Sequence, residues 1–474
     1  MLKTKNNHGE VFMRIRGIVT YLAMSAIFTG VSYADIESLT KDFTNPPDKS
    51  CAETWYHFTS NAITKEGITA DIEAMRDIGY KTAHVFGIGS YTHVPGFDIK
   101  VGDEKWRDLM RHLGAEAKRC GISLGMHNCP GWSSSGGPWI KPEDSMKKVT
   151  ASETFVNAPF KGKVKLPQPE TVAGFYRDIA VIALPSEGKM PTPKVFSDIK
   201  GGEKILNNQS CTLPVKEKTG KGSFTYEFEK PFAARTAKII FDDRHVFLGV
   251  DVLASDDSRN FKKIAFYKVD SFCDSGLPHY VPLGENVKYK YYKFVFRNTG
   301  FPEWFSPRDL HVREISLLSD SMIKDAGKKV SMGKPYKYAA PEKVALGGAD
   351  REKIKFFKAD KNGEVSLDLK EGCWKILRIG YTSTGATNQP TNVSGLECDK
   401  LSKRGLDAHW PYYMAKMQAD FNGALKNATI DSYEVSGQNW TEDFAEQFKA
   451  RRGYDIMPWL PVMAGYPVGS PEEI

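Results

Sequence analysis

Glu434 is the side chain in this sequence best suited to proton chemistry. It closes the run Ala428-Thr-Ile-Asp-Ser-Tyr-Glu434, which reads as a strand, and is followed by the loop Val435-Ser-Gly-Gln-Asn-Trp440. In a β/α barrel the carboxyl end of a strand opens into the pocket built by the βα loops. A carboxyl placed there can protonate a leaving oxygen. Flanking Tyr433 and Trp440 are expected to withdraw it from water and keep it protonated, and Trp440 can also stack on a sugar ring. Asp431 lies three residues earlier. Odd offsets along a strand face opposite ways, so its expected role is a structural pairing.

A second cluster is His127-Asn-Cys-Pro-Gly-Trp132, after another predicted strand. His127 and Asn128 are candidates for hydrogen bonds to sugar hydroxyls, and Trp132 for stacking. A Cys129 nucleophile with His127 as base is disfavoured, because adjacent strand positions aim the two side chains poorly and Pro130 stiffens the turn. Gly131-Trp-Ser-Ser-Ser-Gly-Gly137 lacks the G-x-S-x-G spacing of a serine-hydrolase elbow. Asp360-Lys-Asn-Gly363 opens like a calcium loop but lacks the later acidic ligand, and fits a hairpin turn better.

The elements that position these residues alternate. Trp55–Phe58, Lys81–Phe86 and Ile122–Met126 read as strands. Between them run helices over about 64–78, capped by Thr64, and about 103–119, stopped by Gly121. Such alternation predicts a parallel sheet. From about 148 to 320 the pattern changes to short β-rich runs between Gly, Pro, Asp and Asn, which predicts a β-sandwich of galactose-binding-like type. The α/β rhythm then returns. Cys373–Tyr381 reads as a core strand entered from a hairpin, about 411–425 as a helix, and Thr441 as the cap of another. The fold class expected is α/β: a (β/α)8-type barrel, incomplete in this chain, interrupted by an inserted sandwich. The divisions are a signal peptide over 1–34, a first barrel part over 35–147, the sandwich over 148–320 and a second barrel part over 321–474. Five core strands are counted where a closed barrel has eight. Ser470-Pro-Glu-Glu-Ile474 reads as a helix opening, so the chain is expected to be truncated.

With 474 residues, 41% apolar and 26% charged, the composition is that of a globular protein with room for several cores. Lys3, Lys5, Arg14 and Arg16 precede the short apolar run from Gly17 to Val31, and Ser32-Tyr-Ala34 supplies a cleavage site. Export is expected, to the periplasm, cell surface or medium, with no membrane span after cleavage. Removing that segment lowers the net charge from +7 to +4. No basic block stands out, so nucleic acid is excluded as the natural partner. Seven scattered cysteines lack any CxxC pair, which excludes zinc-finger spacing, and buried free thiols are the expected state.

Several ordered segments resemble glycoside hydrolase family 106, the bacterial α-L-rhamnosidases acting on plant polysaccharides. They are Ile63–Met75, Gly125-Met-His-Asn-Cys-Pro-Gly-Trp-Ser-Ser-Ser-Gly-Gly-Pro-Trp139, Ile379–Asn388, Gly395-Leu-Glu-Cys-Asp-Lys-Leu-Ser402, Asp431-Ser-Tyr-Glu434 and Phe448–Tyr454. The resemblance implies an interrupted barrel in a chain about twice as long, an inverting mechanism and a calcium ion at the sugar. It puts Glu434 at the general-acid position and the second catalytic carboxylate beyond residue 474. It also makes His57 a sugar contact on the first strand. That strand departs from the family's tryptophan-rich pattern, reading Tyr56-His-Phe-Thr-Ser-Asn-Ala62. Calcium takes oxygens from carboxylates, amides and carbonyls, so Glu397 and Asp399 are its expected ligands, with Asn128 and Asn388 as further candidates. The expected partner is an oligo- or polysaccharide substrate. The alternative is a non-catalytic carbohydrate-binding or vestigial protein.

Overall fold

A computed structural model describes residues 33–88, 99–272, 276–330, 348–388, 391–431, 434–435 and 437–474. Most of the expected signal segment lies outside this set, as do Ser432, Tyr433 and Ser436. A helix, Tyr33–Thr44, crosses the expected cleavage point at residue 34.

Strands β1 (Glu53–Thr59), β2 (Thr82–Ile88) and β3 (Ser123–His127) are parallel neighbours. The helices Lys65–Asp77 and Glu104–Cys120 link them. Thr64 caps the first helix by accepting from Gly67 N, and Asp103 caps the second by accepting from Trp106 N. Gly121, at φ 68°, ends the second helix in the left-handed conformation that a residue with a Cβ disfavours. Ile68, Ile72, Leu109, Met110 and Leu113 pack onto Tyr56, Phe58, Val85, Leu124 and Met126, which clothes one face of the sheet.

The β-rich stretch then divides into two units, which corrects the single sandwich expected over 148–320. The first uses β4 (Lys147–Asn157), β5 (Phe160–Lys165) and β6 (Tyr176–Ser186). The second, larger unit holds β7 (Lys194–Ser197), β8 (Cys211–Leu213), β9 (Lys221–Ala233), β10 (Thr236–Phe241) and β11 (His245–Ser255). It continues with β12 (Lys262–Phe272), β13 (Pro278–Pro282), β14 (Lys288–Arg297) and β15 (Leu310–Leu318). Its sheets, ordered β13-β10-β15-β8 and β12-β11-β14-β9-β7, close on one aromatic-rich core around Phe224, Tyr226, Tyr292 and Phe294.

Strands β16 (Lys355–Phe357), β17 (Glu364–Leu369) and β18 (Cys373–Ser383) return to the smaller unit. Its sheet is ordered β16-β6-β18-β4, and β17 pairs with β5. This corrects the expected β17–β18 hairpin and the assignment of Cys373–Tyr381 to the parallel sheet. Strand β18 is central and antiparallel, with Ile379 opposite Ala151 on one side and Ala180 on the other. From Lys375 to Ser383 it is buried throughout, since Leu166 and Val365 cover one face and Trp440, Ile456 and Leu460 the other.

The final strand, β19 (Leu425–Thr429), rejoins the parallel sheet beside β3, giving the order β1-β2-β3-β19. The helix Met414–Asp420 precedes it, and Phe421 packs against the helix Glu104–Cys120. Among the described residues this sheet has four strands and does not close into a barrel. The expected helix start after residue 469 carries a capping box: Ser470 Oγ accepts from Glu473 N, and Glu473 Oε2 accepts from Ser470 N.

Candidate active site

Side chains alternate across a strand, so the sheet face away from the helices carries Trp55 and His57 of β1, His84 and Phe86 of β2, and His127 of β3. At the carboxyl edge these rings form one cluster. Phe86 lies 4.2 Å from His127 and 4.9 Å, edge on, from Trp132. His57 is exposed, stacks on Trp55 at 5.7 Å and meets Trp132 at 6.3 Å. Three residues singled out from sequence, His57, His127 and Trp132, thus converge through Phe86, which sequence reading missed. Its place at a strand end was the available signal.

His127 is fully buried. Its Nδ1 lies 2.6 Å from the Cys129 carbonyl oxygen and therefore carries the proton, which leaves Nε2 as a bare acceptor with no hydrogen bond among the described residues. Burial pushes its pKa below the usual histidine value, against the Cys129 carbonyl and the charges of Asp431 and Glu397. Beside it, Asn128 Oδ1 is also buried without a hydrogen bond, while Asn128 N donates to Thr429 O. Cys129 Sγ sits 3.2 Å from Ser133 Oγ, and burial pushes its thiol up to about 12. It stays protonated at neutral pH and is no nucleophile.

Glu434 lies in the loop beyond β19. The predicted strand over 428–434 is observed at Leu425–Thr429, because β3 ends at His127 opposite Thr429 and offers no further partner. Glu434 is exposed, so the expected withdrawal from water is not found. Trp440 is also corrected. It is 3% exposed and packs on Phe444 at 4.9 Å, within the core that covers β18.

Glu397 and Asp399 are buried in a loop crossing behind this edge, and each is already committed. Asp399 Oδ2 accepts from Lys147 Nζ at 2.8 Å and Thr441 Oγ1 at 2.7 Å, and Oδ1 from Leu401 N and Gln438. Glu397 Oε2 accepts from Lys400 Nζ at 2.5 Å and Ser135 N at 3.1 Å. Asn388 Oδ1 accepts from Gly395 N, and its Nδ2 donates to Pro130 O. Only Glu397 Oε1 and Asn128 Oδ1 of this set are buried without a hydrogen bond. Calcium takes about six to eight oxygens, and among the described residues no three His, Cys, Asp or Glu side chains converge. These residues do not fit a calcium ion.

An exposed carboxyl in the loop after a parallel strand, whose last residue Thr429 pairs with His127 of the ring cluster, offers groups suited to a sugar and a proton. The sequence profile of the alpha-L-rhamnosidase family, glycoside hydrolase family 106, matches residues 44–474. The chain belongs to that family. A Formosa agariphila protein named "Putative beta-glucuronidase" is 29% identical over 446 residues, covering 92% of this family 106 chain and 27% of the relative. The rhamnosidase from Novosphingobium sp. PP1Y shares the fold with a TM-score of 0.76 at 23% identity, over 92% of this chain and 43% of that one. The chain thus spans less than half the length of either. No helix among its described residues is long and apolar enough to cross a membrane.

Proposed function

We propose that this chain carries the general acid, Glu434, of an inverting α-L-rhamnosidase acting on plant-type polysaccharide. The reading is carried by one observation: Glu434 follows Thr429, whose carbonyl is bonded to Asn128 N, at the edge where His57, Phe86, His127 and Trp132 gather. Membership of family 106 supports it. Glu434 protonates the departing oxygen while a second carboxylate, about 6.5–9.5 Å away, activates water from the opposite face. The ring faces of Trp132 and His57 pack on the pyranose, with buried His127 backing them through Phe86. The four parallel strands are read as part of a (β/α)8-type barrel, since helices cover one face while Trp55, His57 and Asn427 remain exposed on the other. Residues 1–34 are read as an export signal, which puts the protein in the periplasm, on the cell surface or outside.

The test is hydrolysis of an aryl α-L-rhamnoside, with an aryl β-D-glucuronide in parallel because the Formosa relative's name points to that linkage. Glu434→Gln should lower rhamnoside turnover by about 10²-fold or more, and unchanged turnover rejects the assignment. The exposure of Glu434 favours a second reading, carbohydrate binding without catalysis. Saturable rhamnoside binding with no turnover, in a protein that also supplies the second carboxylate, would establish it.

A further inference from the structure

The larger two-sheet unit carries an aromatic and basic surface that the chemistry at the parallel sheet does not use. Along β11, Val246, Leu248, Val250 and Val252 enter the core. Alternation therefore turns Phe247, Gly249 and Asp251 to the outer face of the sheet. Residues directly opposite each other on antiparallel strands share a face. Lys268 and Arg297, both opposite Gly249, and Phe266, opposite Asp251, thus stand on that same outer side.

The contacts agree with this placement. A Cβ at Gly249 would fall 2.9 Å from the Phe266 ring and 2.7 Å from the Thr299 methyl group, so glycine lets both lie on the sheet. The loop after β14 then covers the neighbouring outward residue. Phe305 lies 5.1 Å from Phe247, and Trp304 meets Phe247 edge on at 5.6 Å. Phe247 and Phe305 are buried by this, whereas Trp304 stays 56% exposed and Phe266 47% exposed. Phe247 and Gly249 are two residues apart, so the two exposed rings rest on positions about 7 Å apart along the strand.

Cations flank the rings. The Arg297 guanidinium lies 5.1 Å from the centre of the Phe266 ring and Lys263 Nζ 5.6 Å from it. Asp251 accepts from Arg297 Nε at 2.9 Å and meets Lys263 at 2.8 Å, which leaves both Nη groups of Arg297 available. Lys268 is exposed and forms no ion pair among the described residues. A single exposed apolar residue is ordinary on a protein surface. Two exposed rings on neighbouring positions of one sheet face, bordered by a lysine without a counter-charge, form a patch of the kind that meets a ligand.

We propose that this face binds a uronate-bearing glycan, with sugar rings packed on Trp304 and Phe266 and carboxylates held by Arg297 and Lys268. The CH face of a sugar ring packs on an aromatic ring. A guanidinium or ammonium bonds a carboxylate with charge assistance. Rings and cations side by side thus match a ligand that repeats both features along a chain. An acidic peptide would use the cations and leave the two rings unexplained.

The experiment titrates the full chain with a galacturonate oligomer by calorimetry, with the methyl-esterified oligomer and polyaspartate as comparators. Esterification keeps the rings and removes the charge. The free-acid oligomer should bind about tenfold more tightly than the ester, and weaken about tenfold between roughly 50 and 300 mM salt. Trp304→Ala, which removes a ring and keeps every charge, should weaken binding about tenfold or more, as should Lys268→Glu. Should Trp304→Ala fail to fold, Phe266→Ser takes its place. No binding of the free-acid oligomer, binding unaffected by these changes, or equal binding of the ester or of polyaspartate would overturn the proposal. None of these residues belongs to the edge beside Glu434, so the outcome is independent of that assignment.

Discussion

The His409 ring donates from Nε2 to the carbonyl oxygen of Asn128 at 2.6 Å, while its Nδ1 accepts from Trp139 Nε1 at 3.1 Å. Both nitrogens are engaged only in the neutral ring protonated at Nε2. His409 thereby ties the segment before the helix Met414–Asp420 to the residue that follows β3. It is a positioning residue for the edge bearing His127.

Stability should fall as pH drops below the ordinary histidine value. Burial lowers the pKa of both His409 and His127. The unfolded chain therefore binds more protons near pH 6 than the folded one, and their contribution is complete above about pH 6.5 and lost as pH falls from there toward the folded values. Melting curves from pH 7.5 to 5 should show a falling midpoint, with a shallower slope in His409→Gln. An unchanged slope in that variant removes His409 from the explanation.

Lys147 and Asp399 form a buried pair at 2.8 Å, with side chains 5% and 1% exposed. Lys147→Met would strand the Asp399 carboxylate, at a cost of about 3–5 kcal/mol. Lys147→Met with Asp399→Leu should recover most of that loss, because an apolar pair of similar volume needs no solvation. Urea unfolding midpoints of the single and double variants test this. A single variant as stable as the parent would mean that the pair carries no structural weight.

The βαβ half of the sheet was legible because its signals are local. Thr64, Asp103 and Gly121 mark helix ends, and Ile68 and Ile72 mark a buried face, all within a few residues of what they control. Strand β18 was legible as a strand and not as a member of its sheet. Residues buried on both faces lose the alternation that tells one side from the other, and its partners β4 and β6 lie about two hundred residues away. The end of β19 failed for a related reason, since β3 sets it. Trp440 next to a loop looks the same in sequence whether it fills a core or lines a pocket. Nothing in the spacing around His409 announces its bond to Asn128.

Calcium should leave the chain's stability unchanged. A ligand present at about 100 times its dissociation constant adds about 2.7 kcal/mol. The acidic residues expected to bind it already hold Lys147 and Lys400. Melting midpoints in calcium and in chelator should coincide. A clear rise in calcium that Glu397→Gln abolishes would restore Glu397 as a ligand.

Gly114→Ala should destabilise the protein although it sits within a helix. Alanine favours a helix over glycine by about 1 kcal/mol. Here a Cβ would lie 2.8 Å from both the Cα and the carbonyl oxygen of Phe421, backbone atoms that cannot rotate away. Phe421 is fully buried and leads into β19, so accommodating the methyl group pushes that strand away from β3. Overpacking of this kind costs about 1–3 kcal/mol, which outweighs the helical gain. A lowered urea midpoint is expected, with faster amide exchange in β19 than in β1, and a raised midpoint would show that the two segments are not in close contact.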